Sequence, residues 1–458
     1  MRKPAHALPF DRRRFLRLTA ASALTAPLSG AGLARAAAAD VDVIVIGAGV
    51  AGLTAARQLT DLGYEVLVLE AANRIGGRLQ TDWSLDAPFE LGAGWIHGPK
   101  GNPVTELVSA AGGETFVTQD DSLLVISGDG NPLKDELIER KEKQLAALYQ
   151  RIDATFDTDQ PLTSAITQLA PKALADPVTA WMMSAYTEFD AGGPLESLSA
   201  YYFDEDAAFD GANVIVSNGY DRLLGPLAAG LDIRLGHPVD SVSYEKGDGA
   251  TVRANGLDFE ADFVVCTCPL GVLQTGGIRF DPPLPKKYRS AISRIGMGNV
   301  TKLALKFAIP FWPIETQYFG LTGGPMGRWA SFMNYRTFSN QNILVGISVG
   351  AYAPRAEAMS DAEMTADAMR ALRTMFGESA PDPVAAIPTR WSKNPWSHGA
   401  YSYAKVGSKP ADFDMLAEPV AGTLLLAGEH TLFDYHATVH GAHLSGLEAA
   451  RRIDNDLA

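Results

Sequence analysis

The chain has 458 residues, 47% of them hydrophobic, with 44 Gly and 27 Pro, which is enough apolar material for two or three domain-sized cores. Lys and Arg number 39 against 53 Asp and Glu, a net charge of -14 that argues against a protein built to grip phosphate backbones, so nucleic acid is not an expected partner. The only two cysteines, Cys266 and Cys268, exclude a disulfide scaffold and a multi-cysteine zinc or iron–sulfur centre within one chain.

Residues 1–36 read as an export signal. Arg12-Arg13-Arg14-Phe15-Leu16-Arg17 precedes an apolar, small-residue run from Leu18 to Leu33, and Ala34-Arg35-Ala36 supplies an A-x-A cleavage site. The Arg12-Arg13 pair resembles a twin-arginine signal. That implies Tat export machinery as a partner, acquisition of any tight cofactor before export, and a periplasmic or extracellular destination. The alternative is a basic amphipathic helix or a membrane anchor, but the run falls short of the ~20 residues of a span, and no stable membrane anchor is expected. Losing residues 1–36, which hold seven basic residues and one acidic one, takes the net charge to -20.

From Val41 to Ile46 a β-branched run predicts a buried parallel strand, and Leu53 to Leu62 has helical composition. Between them stands Gly47-Ala48-Gly49-Val50-Ala51-Gly52. In a βαβ unit these glycines give the tight turn, the backbone approach to a pyrophosphate, and the close helix–strand packing. A second strand, Tyr64 to Leu69, ends at Glu70, where an acid bonds ribose hydroxyls and repels a 2′-phosphate. Arg74-Ile75-Gly76-Gly77-Arg78 follows, adding two cations and two glycines that a soluble nicotinamide cofactor does not need. Downstream, residues 135–155 predict a charged amphipathic helix, Ser217-Asn218-Gly219-Tyr220 a turn, and Phe263 to Thr267 a strand.

The Arg-x-Gly-Gly-Arg segment resembles the FAD fingerprint of the flavin-containing amine oxidases, and the likeness runs from 41 to 453. Leu91 to Pro103, with Trp95-Ile96-His97-Gly98, is similar to the polyamine oxidase branch, which stands beside the oxidase domain of histone lysine demethylases. Asp281-Pro282-Pro283, Gly298 to Leu303, Trp391 to Trp396, Gly399 to Tyr403, Leu426 to His430 and Ala437 to Gly446 complete the series. The resemblance implies an α/β fold with a Rossmann-type FAD-binding domain from 41–118, 211–285 and 393–458. An interleaved α+β substrate-binding domain would come from 119–210 and 286–392. It also implies noncovalent FAD, because Ala400 stands where monoamine oxidases have their flavin-tethering cysteine. The cofactor contacts it assigns are Gly47, Gly49, Ala51, Gly52, Glu70, Arg74, Gly76, Gly77, Arg78, Gly94, Trp95, Val239, Trp396, Gly428, Glu429, Thr438 and Val439.

The implied activity is oxidation of a polyamine-like amine by hydride transfer to flavin N5. Imine hydrolysis and reduction of oxygen to hydrogen peroxide would follow. Lys302, flanked by Val300, Leu303, Ala304 and Leu305, matches the family's lysine that holds a water at N5. His97 takes the amine-orienting position and Tyr401 the aromatic wall, with Thr438 in place of a second cage tyrosine and with Trp391 and Tyr403 beside the pocket. A monoamine or amino acid oxidase is the rival, with Arg336 as a carboxylate anchor. A dehydrogenase using another acceptor and an inactive FAD-binding protein are further ones. His430, His436, His440 and His443 tempt a metal reading, but the flavin segment accounts for them, and no metal is expected. Cys266 and Cys268 project on one strand face as free thiols. The acids Glu188, Asp190, Glu196, Asp204, Glu205, Asp206 and Asp210 are either a solvated face or a lure for a polycation.

Overall fold

The computed structural model describes residues 40–457, so the export-signal reading lies outside the described residues. The β-branched run forms the strand Asp40–Ile46, which lies parallel between Val66–Leu69 and the distal half of Leu257–Cys266. Asp232–Arg234 extends this sheet on one side and Leu424–Leu426 on the other, all parallel. Val43 and Val45 face one apolar cluster with Leu53, Leu59 and Val68. Ile44 and Ile46 face a second with Leu67, Leu69 and Phe259. Both faces are covered, which is why the strand reads as one unbroken apolar run instead of alternating.

The expected strand at 263–267 begins earlier, at Leu257, because its proximal half pairs antiparallel with Gly249–Ala254. The connection is Asn255-Gly256, with φ of 51° and 75° at the two residues, the positive pair that a two-residue hairpin turn requires. Asn218-Gly219 does something else: Gly219, at φ 100°, leads into the helical turn Tyr220–Leu223, and Asn218 Oδ1 accepts from the Glu114 N–H at 2.8 Å. With Val239–Glu245 and Arg279–Asp281 the sheet reaches eight strands.

A second, six-stranded sheet has Thr301–Lys306 between Ile343–Ser348 and Ala385–Pro388, both antiparallel to it. A small third sheet joins Trp95–Ile96 and Thr115–Val117 to Val214–Val216. The helix Asp135–Thr155 coincides with its expected span; it buries Leu145, Leu148 and Ile152 and leaves its charges mostly in water. The helices Val50–Asp61 and Val439–Arg452 pack on each other. Thr54 Oγ1 lies 2.9 Å from His443 Nδ1, and a Cβ at Gly446 would come within 2.3 Å of the Ala51 carbonyl oxygen. Among the described residues, no helix is long and apolar enough to cross a membrane.

Candidate active site

The glycine-rich turn is built for an anion. Gly47 sits at φ 99°, and a Cβ at Gly52 would stand 1.9 Å from the Gly47 carbonyl oxygen, so the third glycine is fixed by contact. Gly49 caps the helix Val50–Asp61 without any side-chain acceptor and with no acid in the first turn, and a Cβ there would meet nothing within 4 Å. Unsatisfied N–H donors at a helix N-terminus facing cleared space fit the diphosphate of FAD. Glu70 closes the adenosine side: Oε2 accepts from Ala48 N–H at 2.6 Å and Oε1 from Ala72 N–H at 2.8 Å. Burial raises the Glu70 pKa against those bonds, and two lone-pair positions remain for ribose hydroxyls. Val239 opens its strand nearby in the cluster of Ile44 and Phe259.

Two residues assigned to the cofactor also bond within the protein. Arg74 donates to the carbonyls of Ile75 and Gly77 at 3.1 and 2.8 Å, so it shapes the loop in which Gly76 and Gly77 adopt φ of 97° and 58°. Glu429 spends its carboxylate on the protein. Oε1 accepts from Arg78 Nη1 at 2.8 Å, and Oε2 accepts from the Ser402 hydroxyl at 2.5 Å, Ser402 N–H at 3.3 Å and Ala437 N–H at 2.9 Å. Four donors fill a carboxylate. Arg78 Nη1 also reaches the Ala400 carbonyl at 2.9 Å, so this pair ties the fingerprint loop to the segments at 400–402 and 437. Gly428, at φ 142°, places the carboxylate and donates to Ser445 Oγ at 2.9 Å.

Lys302 is buried, at 7% exposure, and its Nζ donates to the carbonyls of Gly92 and Glu90 at 2.6 and 3.1 Å. It lies 5.2 Å from the centre of the Trp95 ring, and a Cβ at Gly94 would approach it to 3.2 Å. Trp391 donates its indole N–H to the Leu91 carbonyl at 2.9 Å and packs on Gly92, so it braces the same turn. Burial pulls the Lys302 pKa down and pushes that of Glu90 up. Glu90 escaped the sequence reading, although an acid between Phe89 and Leu91 carries the same signal as a lysine among aliphatics.

His97 is exposed, and the fields of Asp120, Asp190 and His440 reach it. Asn102, at 1% exposure, holds its loop: Nδ2 donates to the His97 carbonyl at 3.0 Å and lies 3.2 Å from His440 Nδ1, while Oδ1 caps the helix Pro103–Ala110. Asp190 is exposed, and desolvation raises its pKa, opposed by His97 and reinforced by Asp206. Asp190 also acts on Tyr401, whose hydroxyl donates to the Phe189 carbonyl at 2.5 Å. Glu188 is separate and buried, raised to about 7 by burial against the Leu195 N–H and Ser184.

Tyr403 fills a slot left by Gly193 and Gly296 in the cluster of Leu195 and Leu198. Thr438 does not offer its hydroxyl to a pocket: it donates to the Tyr435 carbonyl at 2.7 Å and caps the helix Val439–Arg452 through Gly441 N–H at 2.9 Å. Trp396 is 43% exposed, free of the core. Arg336 turns its guanidinium to the Asn340 carbonyl at 3.0 Å. His436 and His443 have their own partners, the Phe433 carbonyl and Thr54, and no group of three or more His, Cys, Asp or Glu among the described residues is arranged for a metal. Cys266 and Cys268 are free thiols.

Residues 50–454 match the family described as flavin containing amine oxidoreductase. The chain is 35% identical over 438 residues to Lysine-specific histone demethylase 1 homolog 2 of Arabidopsis thaliana, covering 90% of this chain and 58% of that protein. It is 33% identical over 430 residues to Polyamine oxidase 2 of the same plant, covering 89% of this chain and 87% of the relative. Among solved structures, wild-type putrescine oxidase bound to putrescine superposes with a TM-score of 0.74 at 22% identity, over 91% of this chain and 99% of that one. A glycine turn open to a diphosphate, a buried lysine and matches along nearly the whole folded chain lead to one conclusion: this protein belongs to the flavin-containing amine oxidoreductases, with FAD as its cofactor.

Proposed function

We propose that this protein oxidises a primary or secondary amine of a polyamine, with oxygen as the acceptor, giving hydrogen peroxide, an aldehyde and either ammonia from a primary amine or a shorter amine from a secondary one. The observation that carries the substrate class is the acidic cluster of Asp190, Asp204 and Asp206, whose charges act on one another and, from Asp190, on Tyr401. A chain of ammonium groups matches that cluster. Similarity to plant polyamine oxidases supports the same class.

Bound FAD supplies the two-electron acceptor for the hydride that leaves the carbon beside nitrogen. The residues do the rest. Tyr401, its hydroxyl pinned to the Phe189 carbonyl, gives a fixed wall against the amine. Asp190 draws in the cationic end, and His97 hydrogen-bonds the reacting nitrogen so that its lone pair stays free. Lys302 positions a water that hydrolyses the imine. On this reading the segments 41–118, 211–285 and 393–458 carry the cofactor, and 119–210 with 286–392 the substrate. Export by the twin-arginine route to the periplasm or beyond completes the proposal, resting on residues 12–36 alone.

An amino acid oxidase would need a cation to hold the substrate carboxylate, and Arg336 is directed to its own loop. Anaerobic bleaching of the bound flavin by spermidine, putrescine, tyramine and amino acids tests the proposal. Polyamines should reduce it fastest; faster reduction by tyramine or an amino acid would overturn it.

A further inference from the structure

Lys302 has a partner that the reaction scheme does not use. Glu90 ends the strand Phe89–Glu90, which pairs antiparallel with Thr81–Asp82. Its carboxylate is 6% exposed and fixed at both oxygens, by Tyr220 N–H at 2.9 Å and by the Thr81 hydroxyl at 2.8 Å. Its backbone carbonyl is one of the two that hold Lys302 Nζ. Glu90 and Lys302 also share the lining of a cavity of about 20 Å³ with Gly94, Trp95 and Tyr335, room for a single water.

The groups acting on Glu90 are Lys302 from the strand Thr301–Lys306 and Asp221 from the turn Tyr220–Leu223; Tyr220 and Tyr335 flank it as neutral phenols. Glu90 is the charge that acts on Lys302. An ammonium buried against an indole ring and two carbonyls needs a counter-charge to stay protonated, since neutral acceptors only partly offset lost hydration.

We infer that Glu90 is a positioning residue, the counter-charge that keeps Lys302 protonated and pinned to the carbonyls of Glu90 and Gly92. The inference rests on the proposed role of Lys302 at the flavin. Through that ammonium, Glu90 sets the pH range in which the lysine holds its water, without touching substrate or cofactor itself.

The test compares Glu90→Gln, Glu90→Asp, Lys302→Met and the double variant Glu90→Gln/Lys302→Met with the parent enzyme. The pH profile of anaerobic flavin reduction should contain an ionisation that Lys302→Met abolishes. Glu90→Gln keeps an acceptor for Tyr220 and should move that ionisation to lower pH by about 1–3 units. Glu90→Asp keeps the charge and should move it less. A second readout needs no turnover: in thermal unfolding of flavin-stripped protein, Glu90→Gln should lower the melting temperature more in the parent than in the Lys302→Met background. An ionisation lost in Lys302→Met but unmoved in both Glu90 variants overturns the inference, as do additive melting shifts. If Lys302→Met leaves the profile unchanged, the lysine's proposed role falls instead, and the melting cycle alone decides the pairing.

Discussion

Glu429→Gln isolates the charge in the clamp between the fingerprint loop and the C-terminal segment. The amide still accepts from Ser402 and Ala437 but loses the ion pair to Arg78. Burial works to raise the Glu429 pKa, but Arg78, His430 and Ser402 outweigh it and bring it down to about 2 from 4.5. At 1.36 kcal/mol per unit, that difference is about 3 kcal/mol, in line with the ~3–5 kcal/mol lost when one partner of a buried pair is removed. With an unfolding entropy of about 2.1 cal/mol/K per residue over roughly 420 residues, 3 kcal/mol lowers the melting temperature by about 3–4 °C. The folded-state pKa is depressed, so the stabilisation is complete above pH 4.5 and lost as pH falls through about 2. Differential scanning calorimetry of parent and variant from pH 7 to pH 2 should therefore give curves that converge in acid. A variant that melts with the parent at pH 7, or a gap that persists unchanged to pH 2, would refute the clamp.

Gly52→Ala puts a methyl group 1.9 Å from the Gly47 carbonyl oxygen, so purified protein should carry little FAD, read from the ratio of flavin to protein absorbance. Asp190→Asn should raise KM for a polyamine several-fold and leave it nearly unchanged for an uncharged-tail amine. In the parent, polyamine KM should fall as pH rises through the elevated pKa of Asp190; equal effects on both amines would remove Asp190 from substrate binding. Asn102→Ala removes a helix cap worth about 1 kcal/mol and frees the His97 loop, so KM should rise along with a small drop in melting temperature.

The parallel sheet and its glycine turn were legible because their signals are local: a β-branched run, three glycines at fixed spacing and an acid at the strand end. Lys302 was legible because a charge among aliphatics on a strand must be buried for a reason, and Glu90 obeyed the same logic unnoticed because its short strand gave no periodicity. The surroundings of Thr438 and Tyr403 were not legible, for a different reason. Whether a threonine at a helix start faces the pocket or caps the helix depends on the backbone at Tyr435 and Gly441, and the Tyr403 slot exists only because Gly193 and Gly296, distant in sequence, meet across it. The bonds of Arg74 to main-chain carbonyls, and of Glu429 to Arg78, Ser402 and Ala437, are ones that no residue pattern displays.

The first strand, Asp40–Ile46, and the pair Leu424–Leu426 and Val439–Arg452 belong to one sheet and its covering helices although nearly the whole chain separates them. On a ribosome adding ~5–20 residues per second, the early glycine turn waits about 20–75 s for its closing pieces. With the cofactor site divided as proposed, FAD capture follows translation, and a chain cut short in its last thirty residues should emerge without its yellow colour however well its earlier strands have paired.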